Sequence, residues 1–78
     1  MRVLIINEGY YINIDKICCI NYAIEPFIKI LVNGNKFYDL RYTEKHFDEF
    51  CKKLLEKILD DNIKIVDMRD IRKEVNTL

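Results

Sequence analysis

Thr43-Glu44-Lys45-His46-Phe47-Asp48-Glu49-Phe50-Cys51-Lys52-Lys53-Leu54-Leu55-Glu56-Lys57-Ile58-Leu59 is the longest periodic stretch of the chain. Phe47, Phe50, Cys51, Leu54, Leu55, Ile58 and Leu59 fall at i, i+3, i+4, i+7, i+8, i+11 and i+12, one apolar stripe at helical period. Thr43 is suited to cap the N-terminus through its hydroxyl. The opposite side sets Asp48 against Lys52, Glu49 against Lys53 and Lys57 against Asp61 at i, i+4, each pair adding about 0.3 kcal/mol. Glu44, Asp48 and Glu49 sit where the helix dipole favours acids. Asp60-Asp61-Asn62 sits where it disfavours them, so the helix is expected to cover 43–61 and stop.

Upstream of this helix the composition changes to Ile, Val, Tyr and Phe punctuated by turn residues, which is strand composition. Strands are expected at about Arg2–Ile6, Tyr10–Ile14, Ile17–Ala23, Phe27–Val32 and Lys36–Tyr42. Asn7-Glu8-Gly9 suits a three-residue hairpin loop with Gly9 left-handed, a conformation only glycine takes without steric cost. That register pairs Ile6 with Tyr10, Leu4 with Ile12 and Arg2 with Ile14. Asp15-Lys16 interrupts the run. Pro26 lacks the donor that a central strand needs, so Glu25-Pro26 is assigned to a connection. Asn33-Gly34-Asn35 is a hairpin signal, and parity selects an odd loop. It sets Ile28, Ile30 and Val32 on one face with Tyr38, Leu40 and Tyr42, and Lys29 beside Asp39 on the other. A two-residue loop would put Asp39 among the isoleucines, where an unpaired carboxylate is costly.

Downstream, Ile63-Lys64-Ile65-Val66 reads as a short sixth strand. Asp67 then caps a last helix with Met68, Ile71, Val75 and Leu78 on one side. The alternative is a ragged continuation of the main helix. The expected architecture is a single α+β domain over 1–78: an antiparallel sheet of about five strands in 1–42, a long amphipathic helix in 43–61, and a docked tail in 62–78.

Composition limits the function. The 78 residues allow one small core, and a domain of this size buries only about 60% of the surface its unfolded chain exposes. Thirteen basic and thirteen acidic residues cancel, which removes the usual electrostatic reason for non-specific nucleic-acid or membrane binding and lowers repulsion between copies. Cys18, Cys19 and Cys51 are odd in number, and two of them are adjacent. They are expected to be buried reduced thiols of a cytoplasmic protein rather than a disulfide scaffold. The apolar run at the N-terminus is too short for a signal peptide or a membrane span.

Sites for chemistry are scarce. The chain has no Ser, so a serine nucleophile is excluded. His46, the one histidine, lies off the apolar stripe and is read as a solvated surface residue. No Cys/His spacing suits zinc, and Cys18 and Cys19 point to opposite faces of a strand. Cys51 lies on the buried stripe, where a thiolate is disfavoured. Gly9 and Gly34 stand alone in hairpins, so no phosphate loop exists. No enzymatic activity, metal or cofactor is expected.

The functional expectation comes from the sheet. A sheet covered by one helix should be apolar on one face and wet on the other. Here the second face holds Val3, Ile5, Tyr11, Cys19, Phe27, Leu31 and Phe37 beside Asn13, Lys29, Asp39 and Arg41. Apolar patches above a few hundred Å² usually mark interfaces. Either the tail folds over this face or another chain does. The chain is expected to be a non-enzymatic interaction or regulatory module. A homodimer, or another protein partner, is expected to use Val3, Ile5, Tyr11, Phe27, Leu31 and Phe37 of this face, or the C-terminal tail. The alternative is a single-strand nucleic-acid platform that stacks bases on sheet aromatics, with Tyr11, Lys29, Lys36 and Arg41 as its residues.

Two resemblances accompany this reading. Tyr11-Ile12-Asn13-Ile14-Asp15-Lys16-Ile17-Cys18-Cys19-Ile20, followed by a strand–Asn-Gly–strand unit and a helix, resembles the small bacterial FlbD-like proteins over Tyr11 to Leu59. Those proteins show an apolar-Asn-apolar-Asp-x-apolar stretch, an apolar strand, a Gly turn and acidic helical residues. The likeness implies a link to flagella. This chain departs from them by its added N-terminal hairpin strand and long tail. Lys36-Phe37-Tyr38-Asp39-Leu40-Arg41 is similar to a strand of the transcriptional coactivator-type single-strand DNA binders, which place a helix after four strands. Their strong basic character is missing here. Neither resemblance carries over a functional residue.

Overall fold

The N-terminal hairpin and the residues after the main helix build one sheet together, in a computed structural model that describes residues 1–77. β1 (Val3–Asn7) pairs antiparallel with β2 (Tyr10–Asn13) and parallel with β6 (Ile65–Asp67), giving the order β2-β1-β6. A second three-stranded sheet, ordered β3-β4-β5, is antiparallel throughout. It comprises β3 (Ile17–Asn21), β4 (Phe27–Val32) and β5 (Lys36–Arg41). The expected single sheet of about five strands is therefore two sheets of three. The tail is also part of a sheet, so strands are not confined to 1–42.

The corner between the sheets is local. Asn13 Oδ1 accepts the Asp15 N–H at 3.0 Å, and Ile14–Lys16 form one 3₁₀ turn. This side-chain bond offers the backbone an alternative to the ladder, which ends the strand there. The turn lets Ile14 enter the core while β3 leaves in a new direction.

The hairpins follow their turn residues. Leu4 opposes Ile12 as expected, but Asn7 rather than Ile6 opposes Tyr10, with an irregularity between Ile5 and Asn7. Gly9 is left-handed at φ 79°. In the second hairpin the three-residue loop holds. Lys29 opposes Asp39, Ile30 opposes Tyr38 and Val32 opposes Lys36.

α1 covers Phe47–Leu59, and Thr43 does not cap it. Tyr42 is anchored by its N–H to the Pro26 carbonyl at 2.8 Å and by its hydroxyl to the Lys45 carbonyl at 3.0 Å. Residues 43–46 must therefore turn the chain off the sheet. His46, left-handed at φ 67° and half-buried, occupies the N-cap position without a side-chain cap bond. Phe47, Phe50, Cys51, Leu54 and Ile58 are buried. Leu55 is half-buried, and Leu59 is 72% exposed, past the end of the covered stripe. The expected i, i+4 pairs do not form among the described ion pairs. Lys53 and Lys57 instead reach Glu74 of α2 (Met68–Val75), at 3.8 and 3.4 Å.

Arg2 explains how α1 tolerates acids at its end. Its guanidinium donates to the carbonyls of Lys57 (3.1 Å), Asp60 (2.8 Å) and Ile63 (2.8 Å). These carbonyls end the helix and begin the descent to β6, so one cation fills the role that the acids cannot. The tail then follows the strand-then-helix expectation. Asp67 ends β6 and caps α2, its carboxylate accepting the Arg69 N–H at 2.9 Å. Met68, Ile71 and Val75 are buried. Leu78 lies outside the described residues. α2 packs on α1 and β1. Both sheets send their inner residues, Leu4, Ile12 and Val66 from one and Ile28, Ile30 and Val32 from the other, into one core with the two helices.

Candidate functional site

Division into two sheets separates the residues expected to form one face. Val3, Ile5 and Tyr11 stand on the outer face of β2-β1-β6. Phe27, Leu31 and Phe37 stand on the outer face of β3-β4-β5. On the first sheet, Ile5 has Tyr11 and Asp67 as neighbours in register, and Val3 has Asn13 and Ile65. Ile65 is exposed and enlarges the apolar surface there, a contribution the sequence reading did not assign.

The second sheet has the longer strands, and its register lays the residues out in rows. Cys19, Leu31 and Phe37 form an apolar row. Asn21, Lys29 and Asp39 form a polar row. Phe27 and Arg41 begin a third. Phe37 is 62% exposed and Phe27 46%, while Leu31 is half-buried between its neighbours. A shallow hollow of about 370 Å³ lies among Cys19, Asn21, Lys29, Leu31 and Phe37. Ile24, in the connection ahead of β4, closes a smaller hollow with Phe27. Lys29 and Asp39 are cross-strand neighbours, but no ion pair joins them among the described residues. The tail, packed on α1 and β1, does not cover this face.

Cys18 and Cys19 are free and exposed, contrary to the expectation of burial. β3 is an edge strand with a bulge between Ile17 and Cys19, and that irregularity turns Cys18 outward. Cys51 is buried, and desolvation, with smaller contributions from Asp48 and Glu25, pushes its thiol up to about 11.

The four residues of the nucleic-acid alternative are not brought together. Tyr11 belongs to the other sheet. Lys36 has the parity of Tyr38, on the inner side, and its ammonium lies 5.1 Å from the Tyr38 ring centroid. The neighbouring Tyr38 side chain holds the Lys36 pKa above its ordinary value. Only Lys29 and Arg41 share the outer face with Phe27 and Phe37.

A cleft of about 380 Å³ runs between the β5 edge and α2, lined in part by Leu40, Arg41, Tyr42, Met68, Arg69 and Arg72. Two of its arginines are engaged. Arg69 forks onto Asp67 at 3.0 and 2.8 Å, and Arg72 meets Glu44 at 3.6 Å while lying over the Tyr42 ring. Tyr42 itself stacks on Phe50 at 4.2 Å between centroids. Among the described residues no charged side chain is buried, and no cluster of three or more His, Cys, Asp or Glu could hold a metal. No described helix is long and apolar enough to cross a membrane. The chain matches no protein-family model, no curated protein and no solved structure.

Proposed function

We propose that this chain is a small non-enzymatic interaction module that associates with itself through the β3-β4-β5 sheet. One observation carries the reading: Phe27, Leu31 and Phe37 share a sheet face that no other described element covers. The tail packs elsewhere, on α1 and β1. A small domain gains the most from burying such residues against a second copy, and a formal charge of zero puts little electrostatic resistance in the way.

Light scattering at high micromolar concentration tests this. The expected mass is that of a dimer, unchanged by added single-stranded oligonucleotide. Phe37→Asp should stay folded, since Phe37 already faces water in the single chain and its loss leaves the core intact. A monomeric native chain overturns the proposal. A complex with oligonucleotide that weakens steeply with salt would replace it by nucleic-acid binding.

A further inference from the structure

Among the described residues β5 ends its sheet with an edge that no strand pairs. Which of its groups are free follows from one bond. The Tyr42 N–H donates to the Pro26 carbonyl, and continuing the register from Phe27–Arg41 sets Tyr42 opposite Pro26. Bonded and non-bonded pairs alternate along an antiparallel ladder. Tyr38 and Leu40 therefore bond β4, while Phe37, Asp39 and Arg41 direct their N–H and C=O groups away from it. Proteins commonly protect such an edge with a proline, a bulge or charged side chains. β5 has neither proline nor bulge, and its charges, Lys36, Asp39 and Arg41, are of both signs, so they do not all repel a second copy of the strand.

We infer that two copies of this chain pair β5 with β5, antiparallel about a two-fold axis at Leu40, joining their sheets into one. The inference rests on the self-association proposed above and names its geometry. In any such pairing the free groups of Phe37, Asp39 and Arg41 must oppose each other across the axis. Charge then selects the register. Centring on Phe37 sets two rings opposite and Asp39 against the partner's Asn35, with no opposite charge gained. Centring on Asp39 sets two carboxylates opposite, and centring on Arg41 sets two guanidinium groups opposite, both destabilising. Centring on Tyr38 sets Asp39 against the partner's Phe37. Centring on Leu40 sets Asp39 against the partner's Arg41, and by symmetry Arg41 against the partner's Asp39. The opposite charges two residues apart make this strand complementary to itself. Phe37, beside the joint, is then diagonal to the partner's Arg41, within reach of a cation–π contact.

Leu40 gives a test that a face-to-face dimer would fail, because its side chain is on the core side of the sheet. At the axis the two Leu40 residues form a non-hydrogen-bonded pair about 4.5 Å apart at Cα, within disulfide reach. Leu40→Cys is made with Cys18→Ala and Cys19→Ala, which removes the exposed thiols. Mild oxidation should link most of the protein as covalent dimers. In the native-Leu40 chain, Asp39→Lys should weaken dimerisation by about tenfold or more, since it sets like charges opposite twice. The double variant Asp39→Arg with Arg41→Asp should restore it. A native chain of dimer mass with no cross-link, or with Asp39→Lys unaffected or no rescue by the double variant, overturns edge pairing and leaves self-association standing. A native monomer overturns both.

Discussion

Arg2→Met should destabilise the fold by about 2–3 kcal/mol. Arg2 is second in the chain, yet its guanidinium ties the end of α1 to the start of the tail. It donates to the carbonyls of Lys57, Asp60 and Ile63 at 2.8–3.1 Å, and its side chain is only 11% exposed. Hydrogen bonds to a charged group contribute about 1.5–3 kcal/mol each in favourable cases. Water can replace part of this set, because the Asp60 contact is exposed and the other two are only part-buried, so the total is well below three full bonds. The contact with Asp61 at 3.9 Å adds little, since that carboxylate is almost wholly in water. Met keeps the aliphatic volume and removes only the donors. Urea unfolding, followed by circular dichroism, reads the change. With a slope of about 1 kcal/mol/M for so small a protein, the midpoint should fall by about 2 M. Arg2→Lys should lose at least half as much, because one ammonium cannot reach three carbonyls with the planar fork of arginine. If Arg2→Met moves the midpoint by less than about 0.5 M, the guanidinium does not hold this junction and the account of how α1 ends is wrong.

The other predictions concern the tail and the thiols. Asp67→Ala should cost about 1 kcal/mol by removing the α2 cap, seen as a lower urea midpoint at pH 7. The side-chain hydrogen bond from Arg69 holds the Asp67 pKa below its ordinary value near 3.8, so its contribution is complete above that value and is lost as pH falls through the lower folded pKa. The gap between variant and native chain should therefore narrow in strong acid. A thiol reagent at pH 8 should modify Cys18 and Cys19 rapidly and Cys51 only on unfolding. The raised Cys51 pKa stabilises the fold fully below the unfolded value of 9.0, and that stability is lost as pH rises toward about 11. Three equally fast thiols in the folded protein would contradict the buried position of Cys51.

What could be read from the sequence was local. The α1 stripe is set by residues three or four apart, and the Asp67 cap by residues two apart. The loop at Asn33-Gly34-Asn35 was legible because one charge, Asp39, would otherwise have faced the isoleucines. What was missed was non-local. The parallel pairing of β1 with β6 joins Leu4 to Val66, and nothing in either short segment names the other. Asp15-Lys16 reads as an interruption, and the bond that Asn13 Oδ1 accepts from the Asp15 N–H, with the turn over Ile14–Lys16, makes this stretch a corner between two sheets. Thr43 carried a good capping side chain. Tertiary anchoring of Tyr42 moved the helix start four residues on, to Phe47. The candidate face suffered the same way. Alternation placed Phe27, Leu31 and Phe37 on one side of their strands, but which strands share a sheet depends on pairings that alternation does not encode.

The arrangement of rows on β3-β4-β5 bears on how two copies could meet. Asn21, Lys29 and Asp39 cross the middle of the face, with apolar side chains on both sides of them. Stacking this face flat on its copy would take Lys29 and Asp39 out of water. Desolvation costs several kcal/mol per ion unless each ion finds a partner with good geometry. The same two residues are not ion-paired within the chain, so the structure offers no internal compensation. Pairing along β5 avoids that penalty. It leaves Lys29 hydrated, gives Asp39 an opposite charge across the joint, and satisfies backbone groups that otherwise rely on water. The apolar count of the face raised the idea of a partner, and the position of its charges favours an edge over a stack.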